Sequence, residues 1–294
     1  MNKIRIEVPA TTANLGPCFD TCGIAFQLFN YFTFFPSDKL IIEGCEEKYA
    51  NESNLVYQSF QSVYEYLHKD IPPVHIVIEA NVPVSRGLGS SSTCIVGGIL
   101  GANKMLGNIL SDDEILKLCT KMEGHPDNVA PCLFGGLVAS LLEDTAIFHA
   151  SYPLHKDLRF CAFIPDFELS TSLARSVLPH NISLHDCVTN IAHATLSIKA
   201  WETKNYPMLK TCLQDYLHTP YRSKLIHEYD EIHALCDIYA KAFFISGAGP
   251  TLMGIYEDKS FIEIMKKEVE KLHYSWKVLP LEVDYLGAIK RNEG

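Results

Sequence analysis

The stretch Pro83-Val-Ser-Arg-Gly-Leu-Gly-Ser-Ser-Ser92 constrains the fold more than any other part of this chain. It follows an apolar, β-branched run from Val74 to Val82 and leads directly into a segment of helical composition. A glycine-rich link between a strand and a helix start brings free N–H groups and partial positive charge together, and Gly87 and Gly89 remove the Cβ atoms that would keep a polyanion away. Ser90, Ser91 and Ser92 add hydroxyls for phosphate oxygens or a metal ion. No Gly-Lys-Ser/Thr follows, so this is not a Walker A loop, and Ser92 stands where a dinucleotide fingerprint needs its third glycine. Taken alone, the string reads first as an ordinary Gly/Ser turn, so the rest of the chain must decide.

A length of 294 residues suits one large domain or two. The net charge of -10 argues against a nucleic-acid or anionic-membrane partner, each of which calls for a basic patch. Ten cysteines without a C-x-x-C pair read as reduced, cytosolic usage. The segment Met1 to Val8 alternates like a strand and lacks a signal peptide's apolar core, and no apolar run reaches the roughly 18 residues of a membrane span.

Strands are expected at Lys3 to Val8, Ile24 to Phe35, Leu40 to Glu43 and Val74 to Ala80, with a helical pattern of Val56, Phe60, Val63, Tyr64 and Leu67 between them. A second helix is expected from about Ser91 to Leu106, and a third from Ser111, where Ser-Asp-Asp-Glu forms a capping-box signature. Leu137 to Leu142 and Ala146 to His149 read as a hairpin, with a connection at Ser151 to Asp157 and a domain boundary there. Beyond it come a strand (Arg159 to Ile164), a mostly helical stretch from about Ser183 to Ala240, strands at Ala242 to Ile245 and Thr251 to Tyr256, a helix (Lys259 to Leu272) and a strand (Trp276 to Val283).

Polar residues concentrate in Glu123-Gly-His-Pro-Asp-Asn-Val-Ala-Pro131. Glu123 together with a hydroxyl of the serine loop would satisfy magnesium, which takes hard oxygen ligands beside phosphates and water. The plainer alternatives are a solvated helix end for Glu123 and a helix cap for Asp127 or Asn128, and for Asp127 the cap is preferred. His125 has no partner set at zinc-ligand spacing and reads as a structural turn histidine. Ser246-Gly-Ala-Gly-Pro-Thr251 is either a tight bend or a second close approach to a ligand. Arg175 and Arg222 are ordinary surface arginines unless both face one cleft, where they would clamp a carboxylate.

These blocks, in this order, resemble the GHMP kinase superfamily and, within it, the homoserine kinase family. Pro9-Ala-Thr-Thr-Ala-Asn-Leu-Gly-Pro-Cys-Phe-Asp20 is similar to an N-terminal signature of that family. The serine loop resembles its ATP loop, and the blocks around Glu123, Arg175, Arg222 and Gly247 are similar to its later motifs. The resemblance spans Val8 to about Tyr256. It departs from the common pattern at Cys18, a frequent glycine, at Arg86, often lysine or a small residue, and at Ser92-Thr93, usually two alanines.

The resemblance implies an α+β fold of two halves: residues 1–152 like ribosomal protein S5 domain 2 and carrying ATP, and residues 153–294 ferredoxin-like. It implies ATP and Mg2+ as cofactors, L-homoserine as the small-molecule substrate and a homodimer. Asn54, Leu55 and Val56 match the adenine segment; Pro83, Arg86, Gly87, Leu88, Gly89, Ser90, Ser91 and Ser92 match the triphosphate loop; Ser91 and Glu123 match the metal ligands. Asn14 and Asp20 match groups that hold a substrate ammonium, and Arg175 and Arg222 those that hold its carboxylate. Thr171 and Gly247 fall in the substrate site, and Asn128 matches the residue beside the hydroxyl to be phosphorylated. A mevalonate- or shikimate-type kinase, or a non-catalytic protein that has kept the fold, are the alternatives.

Overall fold

A computed structural model of the protein describes residues 3–293. Met1, Asn2 and Gly294, the outermost residues of the two expected halves, lie outside the described residues. The first half contains β1 (Ile4–Asn14), β2 (Cys18–Pro36), β3 (Ile41–Glu43), α1 (Leu55–Tyr66), β4 (Val74–Glu79), α2 (Ser90–Met105), α3 (Asp112–Glu123), α4 (Pro126–Phe134), β5 (Leu137–Glu143) and β6 (Ala146–Tyr152). Strand β2, 19 residues long, organises the sheet. It pairs antiparallel with β1 along most of its length, while its far end pairs with β4 and its near end with β5.

The second half contains β7 (Arg159–Pro165), α5 (Thr171–Ser176), α6 (Leu184–Thr203), α7 (Tyr206–Cys212), α8 (Thr219–Arg222), α9 (Tyr229–Tyr239), β8 (Ala242–Ile245), β9 (Leu252–Tyr256), α10 (Ser260–Val269), β10 (Trp276–Leu281) and α11 (Gly287–Arg291). Its four strands are antiparallel in the order β10-β7-β9-β8, with helices between β7 and β8 and between β9 and β10. This is the ferredoxin-like arrangement the resemblance implied.

One core cluster joins the halves: Ile24, Phe26 and Leu137 of the first sheet pack with Phe160, Phe244 and Met253 of the second, around the fully buried Trp201 of α6. Apolar area buried across the seam stabilises the relative placement of the two sheets. The chain also crosses back beyond β10. Gln27 N donates to Glu282 O at 2.8 Å, Asp284 N donates to Ala25 O at 2.9 Å, and Arg291 of α11 reaches Glu7 of β1 at 3.1 Å. The residues after Val283 therefore pack with the first half, although in sequence they follow the second.

The capping box forms as expected, Ser111 Oγ accepting from Glu114 N and the Glu114 carboxylate accepting from Ser111 N. Three helices depart from the sequence reading. Helix α4 starts at Pro126, ahead of the cap expected at Asp127, and runs through Pro131, because Pro126 sits at its permitted first position and Pro131 only removes one interior donor. Short helices α5 and α11 were not anticipated, and β6 runs on to Tyr152 rather than stopping at His149. The ten cysteines are free thiols. Among the described residues no helix is long and apolar enough to cross a membrane.

Candidate active site

The link between β4 and α2 turns through left-handed backbone at Ser85, Gly87 and Gly89, with φ of 53°, 75° and 70°. Alternating turns of this kind gather N–H groups into an anion-binding concavity. Gly89 caps α2 without any side-chain hydrogen bond, so no side chain competes for the first N–H groups of this 16-residue helix.

The loop is braced from behind by the second half. Ser246 Oγ donates to Gly87 O at 2.6 Å, and Thr251 N donates to Arg86 O at 3.2 Å. Arg86 directs Nε to Pro165 O at 2.9 Å, Nη2 to Asp166 O at 2.9 Å and Nη1 to Val84 O at 3.1 Å. All three guanidinium nitrogens are thus engaged by protein carbonyls, which makes Arg86 a brace for the loop. A Cβ on Gly87 would lie 2.3 Å from Ser246 O and 2.8 Å from Gly249 O. Gly87→Ala therefore combines a clash with a left-handed φ that costs about 1–3 kcal/mol. With ATP on this loop, as the resemblance implies, we expect it to raise the ATP KM by roughly tenfold or more and to lower the melting temperature; wild-type values for both would contradict the bracing.

The loop opens into a cavity of about 560 Å3. At one end it is lined by Asn54, Leu55 and Val56 at the start of α1. Asn54 Oδ1 accepts from Val56 N at 3.0 Å while its Nδ2 donates to Tyr49 O at 3.0 Å, so this asparagine is also the cap of α1. Cys45, Tyr49 and Ile78, which no motif singled out, also line the cavity. Arg86, Gly87, Gly89, Ser90 and Ser91 line the middle. Pro83, Leu88 and Ser92 do not: Leu88 is fully buried, and the buried Ser92 donates its hydroxyl to Glu123 Oε1 at 2.9 Å. Ser91 Oγ donates to Glu123 Oε2 at 3.0 Å, which brings the expected metal-ligand pair together at the end of α3.

At the other end the cavity is lined by Asn14, Asp20, Asn128, Thr171, Arg175, Arg222 and Gly247, so all seven expected substrate residues converge. They arrive from both halves. Asn14 Nδ2 donates to Gly247 O at 2.7 Å and its Oδ1 accepts from Asp20 N at 2.9 Å, tying the β1–β2 turn to the loop after β8. Arg175 and Asp20 form a bidentate pair at 2.9 and 2.7 Å. That hydrogen bond to Asp20 raises the Arg175 pKa despite partial burial. Arg222 is 1% exposed and donates to Ala174 O and Gly247 O, each at 3.1 Å. Burial, then the neighbouring Arg175, pushes it down to about 10, so it stays cationic at neutral pH.

Two features of this end escaped the sequence reading. The Phe19 ring lies 5.5 Å from the Arg175 guanidinium and 5.0 Å from that of Arg222, an aromatic face shared by two like charges. Phe19 directly precedes Asp20 in the Pro9 to Asp20 segment, and that position is its signal in the sequence. His125 does more than shape a turn, since it lines the cavity and its Nδ1 makes a short hydrogen bond to Asp127 Oδ1. Burial disfavours its cation, but Asp127, Asp20 and Glu123 outweigh that and raise its pKa. Asp127 is the second residue of α4, not its cap, and is 2% exposed. Ligand atoms of Asp20, His125 and Asp127 lie within 4.8 Å of one another, yet Arg175 and His125 already engage both carboxylates.

The family descriptions "GHMP kinases N terminal domain" and "GHMP kinases C terminal" match residues 54–136 and 197–274. A homoserine kinase of Clostridium botulinum (strain Okra) is 40% identical over 98% of this chain and 99% of its own length. The chain belongs to the GHMP kinases. A crystal structure of homoserine kinase from Cytophaga hutchinsonii superposes on the kinase with a TM-score of 0.88 at 27% identity, covering 98% of this chain and 96% of that one. Mevalonate kinase of Methanococcus jannaschii shares the fold at 15% identity, with a TM-score of 0.73 over 96% of this chain and 98% of that one.

Proposed function

We propose that this kinase transfers the γ-phosphoryl group of ATP to the side-chain hydroxyl of L-homoserine, giving ADP and O-phospho-L-homoserine. The observation that carries the proposal is the single cavity in which a carboxylate, Asp20, and two guanidinium groups, Arg175 and Arg222, stand beyond the serine loop and the Ser91–Glu123 pair. A zwitterionic amino acid needs opposite charges for its two ends, and mevalonate or shikimate would leave the carboxylate without an ammonium partner. The C. botulinum relative, a homoserine kinase, supports the same substrate.

In this reading, adenine sits against Asn54, Leu55 and Val56, and the triphosphate follows the amides of Gly87 to Ser91. Asp20 and Asn14 take the ammonium group, Arg175, Arg222 and the neighbourhood of Thr171 and Gly247 the carboxylate, and Asn128 faces the acceptor hydroxyl. Ser91 and Glu123 offer hard oxygens 3.0 Å apart on the cavity wall, a donor set suited to Mg2+. When bound there, the ion would neutralise charge on the triphosphate. Asn128 cannot accept the hydroxyl proton as a carboxylate would, so that proton passes to phosphate or solvent. The reading also carries a cytosolic step toward threonine and a homodimeric assembly.

The test is ADP release from ATP and Mg2+ with L-homoserine, mevalonate and shikimate offered separately, and identification of the phosphorylated product by mass spectrometry. Turnover with homoserine alone, abolished by EDTA, is the expected outcome. Preference for either acid lacking an ammonium group would overturn the substrate, and no turnover with any acceptor would favour a non-catalytic role.

A further inference from the structure

Thr11 is fully buried in β1, and its hydroxyl donates to Asn128 Oδ1 of α4 at 2.8 Å. Its main-chain N–H donates to Leu88 O at 3.2 Å, and a Cβ on Gly89 would lie only 2.1 Å from its Oγ1. One side chain thus sits between the end of the phosphate loop and the amide at the acceptor end of the cavity. A carboxamide can present either its oxygen or its NH2 group to a neighbour. If Asn128 turned over, its NH2 would occupy the contact, and the Thr11 hydroxyl hydrogen would lose its acceptor. Among the described residues that hydroxyl has no other partner, and an unmet donor in a fully buried position is strongly disfavoured.

We propose that Thr11 is a positioning residue for phosphoryl transfer, locking Asn128 with Nδ2 toward the acceptor oxygen and in register with the phosphate loop. The proposal rests on the acceptor role of Asn128 given above. With the amide so held, its N–H steadies the acceptor oxygen as that oxygen bonds to the γ-phosphorus. The bond from phosphorus to ADP breaks, and the hydroxyl proton leaves to a phosphate oxygen or to solvent. The geometry also explains why the loop needs glycine at position 89, since any side chain there would displace the hydroxyl that orients the amide.

The test is a double-mutant cycle in the full-length enzyme with Thr11→Val, Thr11→Ser and Asn128→Ala. Thr11→Val keeps the shape of the side chain and removes the hydroxyl, so kcat should fall about tenfold or more. The KM values for ATP and homoserine should stay within about threefold, and Thr11→Ser should restore most of the rate. In the Asn128→Ala background, Thr11→Val should cost nothing further. A wild-type kcat for Thr11→Val beside an impaired Asn128→Ala overturns the positioning role alone. So does an equal loss from Thr11→Val in both backgrounds, which would mean that it acts through the loop. A wild-type kcat for Asn128→Ala overturns the acceptor role of Asn128 and this proposal with it. If Thr11→Val does not fold, Thr11→Ala, which leaves space instead of a methyl group, is read in the same way.

Discussion

Glu123→Gln is expected to lower kcat by about two orders of magnitude or more, with the melting temperature close to that of the wild-type enzyme. Both Glu123 oxygens accept hydroxyl hydrogens, Oε2 from Ser91 and Oε1 from Ser92. An amide keeps the shape of the carboxylate but offers one acceptor oxygen and no charge. The serine contacts are therefore partly kept, while the hard anionic oxygen proposed to hold a divalent ion is lost. The loss should fall on kcat and on the Mg2+ concentration giving half-maximal rate, leaving the homoserine KM nearly unchanged. Turnover at the wild-type rate would remove Glu123 from the metal site.

Arg175→Met should lower kcat/KM for homoserine by about tenfold to a hundredfold, the equivalent of the roughly 1.5–3 kcal/mol carried by a hydrogen bond to a charged group. Because Arg175 and Asp20 are paired with each other before any ligand arrives, the proposed binding mode requires a substrate to offer both an ammonium and a carboxylate to compensate each for its lost partner. A ligand with one charged end strands the other residue. Asp20→Asn should thus weaken homoserine binding as well, and the double variant should lose less than the two single losses combined. The half-exposed setting of the pair keeps its own contribution to stability small. An unchanged homoserine KM in Arg175→Met would take the residue out of the carboxylate clamp.

Much of the architecture could be read from local patterns. Short runs of β-branched and aromatic residues located β4 and β7, and the Ser111 box fixed the start of α3, because these signals depend only on neighbouring residues. Helix α4 was hidden by Pro131, whose cost as an interior helix residue is met by packing between α3 and the sheet rather than by anything visible in its own composition. The convergence of Asp20 with Arg175 across 155 positions was implied by resemblance, but their mutual bond was not, since pairing at that separation depends on how the two sheets meet. Phe19, Thr11 and the return of Asp284 to β2 and of Arg291 to β1 are likewise products of tertiary placement. Ser92 shows the opposite error: one more serine in a run looked like one more ligand, whereas the first turn of α2 carries it behind Glu123.

The bracing of Arg86 and Gly87 by carbonyls and a hydroxyl from Pro165, Asp166 and Ser246 has a consequence for how such enzymes can be recombined. The nucleotide-binding segment is not a transplantable cassette. A chimera cut near residue 152 would import foreign partners for the loop, so its success should track whether the incoming half preserves these three anchor points more closely than it tracks overall similarity.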